Sequence, residues 1–82
     1  MMRRNKYLQF LSDPRKRADY DSSVDILQSL EAYGCTQFSQ RKDANRFIAA
    51  CLYLGRPLEA YGATRTLAAK RLKQLVYAHR EL

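Results

Sequence analysis

Lys70, Lys73, Gln74, Tyr77 and Arg80 follow one another at intervals of one to three residues near the end of the chain. On a helix that spacing gathers cations, an amide and a phenol along one side. Arg65 and Thr66 open the same segment, and the seven residues form the candidate nucleic-acid-binding set. Arginine and lysine would hold phosphates, while glutamine, threonine and tyrosine would reach bases or sugars. A solvated helix surface has the same appearance, and charges at this spacing taken alone favour it. The net charge of +7 and the tyrosine within the strip bring the two readings level.

Other reactive side chains are few. Cys35 and Cys51 have no metal-type spacing, and His79 is the single histidine. The thiols read as small apolar residues kept reduced in a cytosolic protein, although a disulfide between them is open at this point. His79 shares helical spacing with Leu72, Leu75 and Val76, which suits a boundary residue better than a base. There is no glycine-rich phosphate loop and no cluster of metal ligands. The inventory argues against an enzyme and calls for no cofactor or metal.

The chain has 82 residues, enough for one small domain near the lower limit for an unstapled core. Hydrophobic residues at 46% and charged ones at 28% place it among globular proteins. Residues 1–20 sum to +4, 21–40 to −3, 41–60 to +2 and 61–82 to +4. Such a surface attracts nucleic acid, acidic protein or anionic lipid. No run reaches the ~18 apolar residues of a membrane span. The apolar stretch after MMRR is short and interrupted for a signal peptide, so a cytoplasmic protein is expected.

Helix-type residues (Leu, Ala, Arg, Lys, Gln) dominate, and Val, Ile and Thr together supply only seven positions. This predicts an all-α domain, a bundle of four to five helices packed around a central apolar helix over 40–54. That helix would hold the run NRFIAACLYLG, capped by Ser39 at its start and by Gly55 at its end. Arg41 and Lys42 in its first turn would oppose the helix dipole, a small cost that a bound anion would relieve. Before it, a short helix is expected over 3–11. Ser12 or Asp13 would cap a restart at Pro14, and Asp21-Ser22-Ser23 offers a second cap. A helix from Val24 to Tyr33 would then end at Gly34. After Pro57 comes one turn ending at Gly62. The last helix, capped by Thr64 or Thr66, would run to about Glu81 and bury Ala68, Leu72, Leu75, Val76 and Leu82.

Three stretches resemble known families. IAACLYLG, a connector and TRTLAAKRLKQL together resemble a helix-turn-helix DNA reader of the long-connector kind found in phage and recombinase regulators. The resemblance implies that Arg65, Thr66, Lys70 and Lys73 face the groove, that Gln74 reaches it, and that Leu72 and Leu75 pin the helix. A tighter variant turning at Gly62 departs from the pattern at Leu58 and Arg71. Residues 11–21, LSDPRKRADYD, are similar to the end of a J-domain, but the His-Pro-Asp that carries that family's activity is absent from the chain. LEAYG occurs twice, at Leu30–Gly34 and Leu58–Gly62, and RFIAACLYLGRPLEAYG has the rhythm of a tetratricopeptide unit.

The expectation is a small basic transcription-regulatory protein that binds duplex DNA through its C-terminal helix, as a monomer or homodimer. The alternative is a protein-interaction module, an adaptor or inhibitor docking on a larger protein partner. RNA, stacked on the tyrosines, comes third. Neither a membrane nor a small-molecule substrate is implied.

Overall fold

Two tight turns decide the middle of the chain. Asp43 pairs with Arg46 around Ala44-Asn45, and Tyr53 pairs with Arg56 around Leu54-Gly55. Leu54 and Gly55 both have positive φ, at 50° and 84°, the combination that a two-residue hairpin with right-handed twist requires. Ala44 has φ 55° in the other turn. The computed structural model describes residues 13–80. It is an α+β fold: helix α1 (Pro14–Ser29), a 3-10 turn (Leu30–Tyr33), strands β1 (Cys35–Asp43), β2 (Arg46–Tyr53) and β3 (Arg56–Gly62), and helix α2 (Arg65–Arg80). The sheet is antiparallel in the order β1-β2-β3.

The all-α expectation is therefore overturned. The run expected as the central helix over 40–54 forms the end of β1, a turn and β2. Its residues divide by twos: Ala49, Cys51 and Tyr53 join the helices in the core, while Ile48, Ala50 and Leu52 lie on the other face. Here Ala49 and Ala60, neighbours across β2 and β3, are spacers that let Ala68 and Ala69 of α2 lie close to the sheet. Gly62 marks the same close approach, since a Cβ there would sit 2.6 Å from the Ala68 nitrogen. Gly55 does adopt the left-handed conformation expected of it, but as a turn residue. The first helix of the resembled helix-turn-helix pair is accordingly strand.

Helix α1 also differs from expectation. It runs without a break through Asp21-Ser22-Ser23, because Ser23 is turned inward rather than used as a cap. Its hydroxyl donates to the Tyr20 carbonyl at 2.7 Å and to the Gln40 side chain at 3.2 Å, and the residue is fully buried. The expected start holds: Asp13 accepts from the amides of Arg15 and Lys16, with Pro14 at the first position. Helix α2 begins as expected too, Thr64 accepting from the Leu67 amide at 3.0 Å. The core joins Leu27 and Leu30 to Leu72 and Val76 above Cys35, Cys51, Tyr53 and Leu58. The short helix expected over 3–11, together with Glu81 and Leu82, lies outside the described residues. No helix among the described residues is long and apolar enough to cross a membrane.

Candidate nucleic-acid interface

Asp19 ties the two helices together at one end. Its carboxylate accepts the backbone amides of Arg65 and Thr66, each at 2.9 Å, and its carbonyl accepts the Thr66 hydroxyl at 3.1 Å. Burial pulls the Asp19 carboxyl up, but the bonds from Thr66 and the Arg65 amide, with the Arg65 charge, outweigh it and hold the group below its ordinary 3.8. The first turn of α2 is thus closed by a carboxylate from α1. At the other end Tyr33, just beyond α1, meets Tyr77 of α2. The two helices therefore run in the same direction, with both N-termini at the Asp19 end.

The tip of the β1–β2 hairpin reaches this end as well. The Arg65 guanidinium donates to Gln40 at 3.2 Å and lies 4.9 Å from the Phe47 ring centre and 5.8 Å from that of Tyr20. Lys42 stands 5.7 Å from the same Phe47 ring. Arg46 stacks on Tyr61 at 4.2 Å, and Glu59 accepts from both Arg41 and Tyr61. This network is centred on Ile48, whose cross-strand neighbours are Arg41 and Tyr61, and Ile48 is only 3% exposed. Arg15, Lys16 and Arg17 occupy the exposed first turn of α1, one turn before Asp19. Three segments far apart in sequence so present cations at one end. Arg17, Arg41 and Arg46 are paired across the surface with Asp21, Glu59 and Asp43. Arg15, Lys16 and Lys42 have no ion pair with a described residue.

The seven residues singled out from the sequence divide between the two ends. Arg65 and Thr66 belong to the Asp19 end, where their amides are already bonded. Lys70, one turn on, and Gln74 are exposed on α2. Lys73, Tyr77 and Arg80 lie toward the opposite end, where they meet the 3-10 turn. Arg80 stacks on Tyr33 at 4.4 Å, Lys73 lies 5.7 Å from the Tyr77 ring centre, and the two rings meet edge to face at 5.4 Å. Contact with Tyr77 pushes the Tyr33 hydroxyl up, and the same contact, with Lys73 and Arg80 close by, holds Tyr77 down. Comparison with protein-family models, curated proteins and solved structures gave no match.

Arg15, Lys16, Arg41, Lys42 and Arg46 fell outside the candidate set. For Arg41 and Lys42 the signal was present: two cations at the head of an expected helix are out of place there, whereas a hairpin tip carries them without cost. Cys35 and Cys51 are free thiols, both buried. Burial, and then the neighbouring Cys35, push Cys51 up to about 12; burial also raises Cys35, against the hydrogen bond it makes with Cys51. Neither thiol is a nucleophile at neutral pH. His79 stands beside the Tyr53 ring at 6.5 Å, a packing role. No group of metal-ligating residues occurs among the described residues.

A cavity of about 310 Å³ opens between α1 and the edge strand β1 at the basic end. Val24, Leu27, Tyr20 and Phe38 make its walls. Gln28, Gln40 and Arg65 also line it, with Ser39 of the edge strand beside them.

Proposed function

We propose that this chain binds double-stranded nucleic acid through its phosphate backbone, at the end formed by both helix N-termini and the β1–β2 hairpin, and that A-form RNA is preferred to B-form DNA. The observation that carries this is the convergence of Arg15–Arg17, Arg41–Arg46 and Arg65 on one end of a fold that separates them widely in sequence. Cations in the first turn of a helix are disfavoured by its dipole, a cost of about 0.3–1 kcal/mol each that a bound anion relieves. Asp13 and Asp19 supply part of that relief; a nucleic-acid backbone supplies the rest.

The preference for RNA follows from shape. The helix-turn-helix mode of reading B-form DNA calls for a helix whose N-terminal side chains enter the major groove. In α2 the corresponding backbone is occupied by Asp19, and Arg65 is held by Gln40 and two aromatic rings. What is offered instead is a broad surface with three points of contact. Such a surface suits the wide, shallow minor groove of A-form RNA, whose phosphates and 2′-hydroxyls are recognised by shape. Asn45, at the tip of the hairpin, is an exposed amide suited to those hydroxyls.

Fluorescence anisotropy with labelled RNA and DNA duplexes of about 20 base pairs, somewhat longer than the ~16 that a single shape-reading domain spans, tests this at two salt concentrations. RNA should bind more tightly, and log affinity should fall linearly with log salt. Equal or tighter binding of DNA would return the reading to a DNA-binding protein. Retention of neither duplex at ~0.15 M salt would remove nucleic acid and favour a protein partner.

A further inference from the structure

The cavity between α1 and β1 is built by a local irregularity that the sheet itself does not need. The register of β1 against β2 slips between Thr36 and Ser39, and Gln37 within the slip has φ 53°. A non-glycine residue in the left-handed region is uncommon and carries strain of order 1 kcal/mol. The slip turns both Cys35 and Phe38 toward the helices, where strict alternation would have sent one of them to the outer face. Cys35 fills the core. Phe38 is only partly buried and forms a wall of the cavity.

We infer that this cavity is a pocket for a single unpaired nucleobase, carried on the nucleic acid bound at the adjoining basic end. The inference rests on the nucleic-acid reading and adds a site to it. Tyr20 and Phe38 provide aromatic surface for a planar heterocycle, and Val24 an aliphatic floor. Base–aromatic stacking is worth about 1–3 kcal/mol. The Gln28 side chain can both donate and accept, as the edge of a base requires. Arg65, held by Gln40 and lying over Tyr20 and Phe47, forms the wall toward the hairpin tip. A cavity of about 310 Å³ accepts one base with part of its sugar and is too small for a helix or a strand of a protein partner. Enzymes that extrude a base enclose it in a snug pocket; this more open cavity would recognise a base already unpaired, in a bulge or at a duplex end.

The test uses the full chain with two RNA duplexes, one fully paired and one with a single bulged nucleotide, and in a separate arm with 5′-AMP and 5′-UMP followed by amide chemical shifts. The bulged duplex should bind about tenfold more tightly than the paired one, which corresponds to ~1.4 kcal/mol. Val24→Phe, which fills the cavity, should remove that difference and leave affinity for the paired duplex unchanged. Gln28→Glu places a negative charge at the rim on an exposed helix position and should do the same, which keeps the test intact if Val24→Phe lowers stability. Equal affinity of the wild-type chain for the two duplexes overturns the pocket while the backbone reading stands. Loss of both duplexes alike in the variants, with helicity preserved, also overturns it. If no duplex is retained at all, the mononucleotide arm decides: shifts confined to Tyr20, Val24, Gln28 and Phe38 uphold a base pocket, and their absence sinks it.

Discussion

The two ends of the molecule carry similar charge and similar aromatic residues, yet they are arranged by opposite logic. At the end near Tyr33, His79 and Arg80 occupy the last turn of α2, where the helix dipole favours cations, and Arg80 is stacked on Tyr33. Those charges are satisfied by the fold alone. At the end near Asp19, the cations occupy the first turns of both helices and a hairpin tip. Neither helix has an acid in its first turn, and the partly buried carboxylate that closes α2 is borrowed from α1. The difference is one of position, which the sum of charges does not show. On the proposed reading, the positive groups placed where the backbone opposes them are the ones a bound anion would relieve.

The strongest way to break this contrast is to reverse charge at the disfavoured end. Lys16→Glu combined with Lys42→Glu should lower RNA duplex affinity by about 10- to 100-fold and reduce the salt slope by roughly two, one for each phosphate contact removed. Thermal stability should hold, because a glutamate at position 16 suits the helix N-terminus better than lysine does. Unchanged affinity in a folded variant would show that the convergence of cations has no ligand. Lys70→Glu, one turn into α2, should have a smaller effect on affinity in the same assay.

The next effect falls on the tie between the helices. Asp19→Ala strips acceptors from two amides of α2 and should cost about 2 kcal/mol in urea unfolding. The pH dependence has a definite sign. Because the folded carboxyl lies below its ordinary 3.8, its contribution is complete above about pH 4 and disappears as the pH falls through the folded value. Wild type should therefore lose stability relative to Asp19→Ala as the pH falls below about 4, and parallel curves there would remove the carboxylate from the account. Gly62→Ala should cost roughly 1–3 kcal/mol, since its Cβ would meet the α2 backbone at 2.6 Å.

These contrasts also show where the sequence was legible. Helix α2 was, because Thr64 caps it and Ala68, Leu72 and Val76 repeat at four residues over an otherwise polar surface. The Asp13-Pro14 start of α1 was equally plain. The strands were not. Their β-branched content is low because the sheet lies beneath two helices and its inner face must be thin, so alanine and cysteine stand where valine would be usual. Leu54-Gly55 and Ala44-Asn45 fix the hairpins, but Gly55 after a leucine is equally a helix C-cap, and Ala44 gives no turn signal. Of the candidate site, Arg65, Lys70 and the α2 surface were visible in order along the chain. The meeting of α1, the hairpin tip and α2 was not, because it depends on the sheet. Reading 40–54 as a helix hid the hairpin that brings Arg41, Lys42 and Arg46 to the others.

The smallest expected effect sharpens the comparison from the other side. Arg80→Ala removes a guanidinium from the face of Tyr33 and a cation from the end of α2, two weak contributions of about 0.5 kcal/mol each at an exposed position. Stability should fall by no more than about 1 kcal/mol, whereas duplex affinity should be unchanged within twofold after correction for the folded fraction. Tyr33→Phe, which keeps the ring and removes the hydroxyl that meets Tyr77 at 3.4 Å, should change even less. A loss of duplex affinity in Arg80→Ala comparable to that of the Lys16/Lys42 variant would mean that nucleic acid runs the whole length of α2. The division between an end that folds and an end that binds would then have to be abandoned in favour of one continuous strip along that helix.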